Sequence, residues 1–143
     1  MQQPSNAIEQ FFRTFESNAS SDNVDAVISQ FADVFMAASP QGTQAVRATD
    51  FALALPRKKQ YIDSLGCNST KLVSLRETRL DARYTMASTQ WKMTFTLPET
   101  EPEDVVVDSA FIIDTGGDAA KIVFYLANQD LVQVLKERGI APH

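Results

Sequence analysis

The sequence predicts an α+β domain in which helices gather on one face of a curved, mostly antiparallel sheet. Apolar residues recur at helical spacing early in the chain, and after Gly66 the pattern changes to the alternation typical of strands. With 143 residues, 44% of them hydrophobic, the chain is long enough to bury a core without disulfides. We therefore expect a single domain over residues 1–143, ordered from about 6 to 139.

Two amphipathic helices begin the chain. Ser5 or Asn6 is expected to cap the first helix and Asp22 the second. Both helices carry apolar residues at spacings of three and four: Ile8, Phe11, Phe12 and Phe15 in the first, and Val24, Val27, Ile28 and Phe31 in the second. The matching stripes and the short connection predict an antiparallel pair that covers another layer.

A short hairpin and a third helix follow. Val34 to Ala38 reads as a strand, Ser39 to Gly42 as a turn, and Gln44 to Arg47 as a strand that pairs back. Thr49 or Asp50 is expected to cap the third helix. This helix is expected to be interrupted at Pro56, to restart there and to stop at Gly66.

The remaining chain is mostly extended. The predicted strands are Lys71–Asp81, Arg83–Leu97, Val105–Asp114 and Lys121–Ala127. A Gly-Gly hairpin signal precedes the last strand, and Asn128 is expected to cap a final helix that ends at Gly139. The predicted order is α-α-β-β-α-β-β-β-β-α. Helices that close such a sheet leave an apolar cavity at its open end, which is the default binding site.

Composition excludes several classes of function. A net charge of -5 and a pI near 4.8 argue against a nucleic-acid partner, and Arg57-Lys58-Lys59 is interpreted as a solvated helix face. The scarcity of histidine and cysteine argues against a transition-metal site, and the absence of a glycine-rich phosphate loop leaves no cofactor predicted. One cysteine, no signal-like N-terminal segment and no apolar run of ~20 residues predict a soluble, cytoplasmic protein without a membrane partner.

The order of elements and several motifs resemble the nuclear transport factor 2-like superfamily, in particular its SnoaL-like and ketosteroid-isomerase-like branch. The motifs are FADVFMAASPQG, the broken third helix up to Gly66, TQWKMTF, and the terminal GGDAAKIVFYLANQDLVQVL. The resemblance covers about residues 6–139. It implies a cone-shaped α+β barrel with a deep pocket, often dimeric through the outer face of the sheet.

The resemblance also indicates where catalytic groups would stand. The general-base aspartate of the steroid isomerases falls on Ser39, and their oxyanion-stabilising acid falls near Ser109. Their helical tyrosine falls within Phe11 to Phe15, where no tyrosine occurs. A serine hydroxyl does not shuttle protons near neutral pH without an activating base. The sequence therefore predicts that the acid-base roles of these relatives are vacated.

Other side chains are candidates for the pocket wall. Trp91 and Met93 share one face of a strand, where core and cavity wall are the same surface. Tyr125 is expected to project inward, and Tyr61 to lie at the mouth of the cone. With Ser39 and Ser109, these residues form the predicted ligand-binding set.

The remaining reactive groups have structural interpretations. Asp33 is interpreted as a helix-end residue, and Asp130 as an anion in the first turn of the last helix. Asp108 is expected to face outward, near Arg76 or Arg79. Cys67 lacks a neighbouring base, because the only histidine is the terminal His143.

Three hypotheses remain open. The leading one is a dimeric, non-catalytic domain that binds a small apolar molecule. The second is an isomerase, dehydratase or cyclase acting on a cyclic or polyketide-like compound, which needs an inward carboxylate or tyrosine with a perturbed pKa. The third is a protein-interaction module that uses the outer face of the sheet, which would show as a large exposed apolar patch.

Overall fold

The protein, described by a computed structural model over residues 5–21 and 23–142, contains four helices and six strands in those ranges. Asp22 and His143 lie outside the described residues. The helices are α1 (Asn6–Ser20), α2 (Val24–Ser29), α3 (Ala48–Ser64) and α4 (Leu131–Glu137). The strands are β1 (Phe31–Ser39), β2 (Gly42–Arg47), β3 (Cys67–Arg79), β4 (Tyr84–Phe95), β5 (Glu103–Asp114) and β6 (Lys121–Ala127).

All six strands form one sheet in the order β2-β1-β6-β5-β4-β3. Neighbouring strands are antiparallel except β1 and β6, which are parallel. The predicted α+β class and the order of elements are confirmed. The sheet is open, with β2 and β3 at its edges, so it does not close into the complete barrel that the resemblance implied.

One face of the sheet is buried beneath the helices. On β4 every second residue from Thr85 to Phe95 is buried, which is the period of a strand covered on one side. The larger core packs Phe12 of α1, which is fully buried, against this face. A smaller core surrounds the fully buried Leu135 of α4 at the other end of the same face.

Three expectations about the N-terminal half are wrong. Phe31 is the first residue of β1 and pairs with Ile122 of β6, because strand pairing outweighs a helical stripe in a helix of only six residues. Asp33 accordingly lies in β1, where it is exposed, and not at a helix end. Asn23 caps α2, and its side-chain oxygen accepts the N–H of Ala26 at 3.1 Å.

Two other helix boundaries also differ. Helix α3 runs through Pro56 without interruption and begins after Arg47, whose side chain makes no capping bond. Proline has no N–H to donate, but the packed helix continues through it. Helix α4 is capped by Asp130 and not by Asn128.

Gly66 links α3 to β3 in a conformation that tolerates no side chain. Its φ is +100°, and a Cβ placed there would lie 2.6 Å from the carbonyl oxygen of Thr96. That strand neighbour also donates its N–H to the carbonyl of Gly66 at 2.9 Å. The turn therefore requires glycine for two reasons: φ is positive, and the carbonyl oxygen of Thr96 leaves no room for a Cβ.

Gly66→Ala should lower the free energy of unfolding by about 3 kcal/mol, because dihedral strain and a backbone clash add. Gly42→Ala is the matched control, since Gly42 also has a positive φ (+137°) but a Cβ there meets nothing within 4 Å. We expect a loss of about 1 kcal/mol for this control. Urea unfolding with equal m-values measures both losses. Equal losses would show that the contact with Thr96 contributes nothing.

Candidate functional site

A cleft of about 1030 Å³ lies between the helices and the buried face of the sheet. Helices α1, α2 and α3 supply one side, and β4, β5 and β6 supply the other. The first residues of β3, the turn between β1 and β2 and the first residues of α4 complete the wall. The cleft is therefore built from most elements of the fold.

Aromatic side chains dominate the wall where helices and sheet meet: Phe15, Phe31, Phe51, Trp91, Phe111 and Tyr125. The Phe15 ring lies 5.9 Å from that of Trp91 and 5.7 Å from that of Phe111, in edge-to-face geometry. The Tyr125 ring lies 5.1 Å from Phe111. These ring-centroid distances lie in the range that favours aromatic pairs. The rings therefore form a packed, apolar wall.

A chain of hydrogen bonds crosses the sheet behind this wall. The indole N–H of Trp91 donates to Thr89 Oγ1 at 2.9 Å, and Thr89 Oγ1 lies 2.8 Å from Ser109 Oγ. All three residues are buried, and Trp91 and Ser109 also line the cleft. Thr89 thus fixes the orientation of Trp91 and of the Ser109 hydroxyl together.

Tyr125 adds a second hydroxyl to the wall. Burial raises the pKa of this phenol above its ordinary value, so the group remains a protonated O–H at neutral pH. The hydroxyl makes no hydrogen bond to any residue that the structure describes. It is therefore available as a donor inside the cleft.

The Ser-Pro-Gln-Gly turn is tied to the start of α4. Ser39 Oγ donates to Gln41 Oε1 at 2.9 Å and accepts the Gln41 N–H at 3.2 Å. The Gln41 amide then donates to the carboxylate of Asp130, whose other oxygen accepts the N–H of Gln133 at 3.2 Å and caps α4. The Ser39 hydroxyl thus positions Gln41, and Gln41 joins the turn to the helix.

Lys58 of α3 lines the cleft, as do Lys59 and Lys71. Solvent reaches its side chain through the cleft, yet the surrounding protein atoms desolvate the ammonium and lower the pKa of Lys58. The charge of Asp130 acts on this pKa in the opposite direction. No hydrogen bond or ion pair joins Lys58 to the residues within 5–21 and 23–142.

Of the predicted ligand-binding residues, Ser39, Trp91, Met93, Ser109 and Tyr125 line the cleft. Tyr61 does not, because its neighbour Ile62 occupies the buried face of α3 and turns Tyr61 to solvent, where it is 41% exposed.

Asp108 has the strand parity of Ala110 and Ile112, as expected for an outward residue, but it also borders the cleft. Its carboxylate accepts the side-chain amide of Gln129 at 3.2 Å. Strand β6 ends at Ala127, and the next residues continue beside β5. Asn128 there donates its N–H to the carbonyl of Asp108 at 3.1 Å.

From the sequence, Lys58 was expected on a solvated helix face and Asp130 in the first turn of the last helix. Lys58 follows Phe51 by seven residues and Leu55 by three, so it shares their face of a continuous helix. In a continuous helix that spacing predicts Lys58 in the cleft. The expected interruption at Pro56 removed the common helical face from the prediction. No sequence signal pairs Asp130 with Gln41, which is 89 residues away.

Within residues 5–21 and 23–142, no group of three His, Cys, Asp or Glu side chains forms a potential metal site. No helix in this part of the chain is long and apolar enough to cross a membrane.

No protein-family model matches the sequence, and no curated protein sequence matches it. Solved structures match its fold. An NTF-2-like protein of unknown function from Shewanella oneidensis is 15% identical with a TM-score of 0.69, over 89% of this chain and 100% of its own. An NTF2-like protein with a cystatin-like fold from Novosphingobium aromaticivorans is 12% identical with a TM-score of 0.71, over 96% and 88%.

A ketosteroid isomerase-like protein from Erwinia carotovora is 13% identical with a TM-score of 0.62, over 85% of this chain and 92% of its own. The chain therefore has the fold of the nuclear transport factor 2-like proteins, as the sequence motifs indicated. At these identities the likeness shows the fold alone. The activity must be inferred from the site.

Thr89→Val should lower the free energy of unfolding by about 1–3 kcal/mol, because the buried indole N–H of Trp91 loses its acceptor. It should also shift the emission of Trp91, the only tryptophan in the chain. Thr85→Val is the matched control: Thr85 is buried on the same face of β4, but its hydroxyl makes no hydrogen bond to the described residues. Urea unfolding monitored by fluorescence compares the two variants. A similar loss in both would contradict the role of the hydrogen-bond chain.

Proposed function

We propose that the protein binds a small, largely apolar molecule in the cleft between its helices and its sheet. The observation that carries the proposal is the continuous aromatic wall of a cleft of about 1030 Å³. Ligand sites in proteins typically enclose about 300–1,000 Å³ and combine apolar walls with a few polar groups. Ser109 and Tyr125 are the polar groups set into this wall.

Binding is favoured over catalysis because the carboxylates of the cleft hold the fold together. Glu16 accepts the backbone N–H of Leu72 at 2.7 Å, and Asp108 is bonded to Gln129. Asp130 caps α4 and anchors the turn at Gln41. A carboxylate that is engaged in this way is poorly placed to exchange a proton with a substrate.

The second candidate is an acid-base enzyme of the isomerase, dehydratase or cyclase type, for a cyclic or polyketide-like substrate. One observation favours it: Tyr125 and Lys58 line one cleft and have shifted pKa values. The raised pKa of Tyr125 suits a proton donor, and the lowered pKa of Lys58 increases the share of free amine. Turnover that is lost in Tyr125→Phe would support this candidate over simple binding.

The proposal includes a homodimer formed through the face of the sheet that the helices leave uncovered. An apolar row crosses four strands there, since Met86 pairs with Ile112, Ile112 with Phe124, and Phe124 with Met36. None of these side chains belongs to either hydrophobic core. A second copy related by a twofold axis presents the same row, which makes the surface self-complementary. A partner protein of another kind is the alternative occupant of this surface.

Because Trp91 is the only tryptophan and lines the cleft, its emission reports occupancy directly. We expect the dye 1-anilinonaphthalene-8-sulfonate to bind saturably and to quench Trp91 by energy transfer. Ala19→Phe, which fills the cleft from α1, should weaken binding about 10-fold or more, since 1.4 kcal/mol of lost contact corresponds to that factor. Ala54→Phe is the matched control at an exposed helix position outside the cleft. Equal affinity of the two variants would count against the cleft as the binding site.

The dimer is tested by light scattering after size-exclusion chromatography at about 50 μM, well above the dissociation constant of a standard-sized interface. The wild type should have the mass of two chains, and Ile112→Glu should have the mass of one, because it places charge in the apolar row. Leu53→Glu is the control, since Leu53 is an exposed apolar residue on α3, outside the sheet (71% exposed). A monomeric wild type, or a dimeric Ile112→Glu variant, would refute this interface.

A further inference from the structure

The acceptors and the donors that line the cleft differ in how many have a partner within the protein. Each carboxylate of the described cleft wall accepts a hydrogen bond from a protein donor: Glu16, Asp63, Asp108 and Asp130. Two donors of the same wall, the Lys58 ammonium and the Tyr125 hydroxyl, make no hydrogen bond to the described residues. These two donors are therefore positions at which an acceptor group of a ligand can bind.

Lys58 is also distinguished from the other lysines of the cleft. Lys59, its neighbour, forms an ion pair with Asp63 at 3.2 Å, and Lys71 lies on the edge strand β3 and not on a helix. Lys58 shares its helical face with Phe51 and Leu55, which belong to the fringe of the main apolar core. The ammonium thus stands where the polar and the aromatic parts of the cleft meet.

We propose that the ligand of this cleft is an amphipathic anion, with its ring system on the aromatic wall and its carboxylate or other single oxyanion on Lys58. This inference rests on the proposed binding function and adds the chemical class of the ligand. A charge-assisted hydrogen bond to an oxyanion is about twice as strong as a neutral one, and partial desolvation strengthens it further. The Tyr125 hydroxyl supplies a second donor in the same cleft.

Asp130 places a negative charge near Lys58 without pairing with it. Its carboxylate is held by Gln41 and by the first turn of α4, so it attracts the ammonium electrostatically but forms no ion pair with it. A bound anion would be attracted by Lys58 and repelled by Asp130. Removal of the Asp130 charge should therefore increase the affinity for an anion.

Two probes of equal shape test the inference, 2-naphthoate and its neutral amide, 2-naphthamide, by isothermal titration calorimetry. We expect 2-naphthoate to bind the wild type about 10-fold more tightly than 2-naphthamide, the factor that corresponds to 1.4 kcal/mol. Lys58→Met should remove this preference, because it weakens 2-naphthoate, which loses a charge-assisted hydrogen bond, more than 2-naphthamide. Asp130→Asn, which retains a good helix cap, should strengthen the preference.

Arg57→Met is the matched control, because it removes the same charge one residue away and outside the cleft. It should behave as the wild type, which separates a local contact from the effect of net charge. Lys58→Gln serves in place of Lys58→Met if the latter does not fold by circular dichroism. Equal binding of the two probes to the wild type, or an unaltered preference in the Lys58 variant, overturns the inference and leaves the binding function standing. Binding of neither probe at millimolar concentration overturns both.

Discussion

The packing of the aromatic face of α1 against the buried face of the sheet is the interaction on which the rest of the structure depends. Phe12 is fully buried, with its ring 5.1 Å from that of Phe111, and Phe15 reaches both Phe111 and Trp91. Full burial of one such side chain stabilises a fold by roughly 1.5–3 kcal/mol. Phe15, Phe111 and Trp91 also line the cleft, so the packing that holds α1 on the sheet forms part of the cleft wall.

Buried polar side chains then fasten α1 at both ends. Glu77 of β3 accepts the N–H of Ser5 at 2.6 Å, just before the helix begins. At the other end the side chain of Gln30 donates to the carbonyl of Phe11 at 3.1 Å and accepts from Asn18 at 3.2 Å. These groups satisfy one another in the folded state, which a buried polar group requires.

The sequence predicted the sheet better than the site, for physical reasons. The alternation around Trp91 is local information, and the strand it predicted lies within two residues of β4. Phe31 was misassigned because its parallel partner Ile122 is 91 positions away in sequence. Lys58 was missed because Pro56 was interpreted as a break, whereas tertiary packing carries α3 through it. The bond between Gln41 and Asp130 depends on the complete fold, so no spacing in the sequence could reveal it.

Strand β5 contributes side chains both to the cleft and to the uncovered face of the sheet. Ser109 and Phe111 face the cleft, while Ala110 and Ile112 between them lie on the uncovered face, because successive side chains of a strand point to opposite sides. The cleft and the proposed dimer surface therefore share a backbone but no side chain. A substitution on one surface leaves the other chemically intact, whereas a shift of register by one residue would exchange the two. The small bulge between Ile112 and Ile113 lies beyond this segment, so the alternation is unbroken where both surfaces need it.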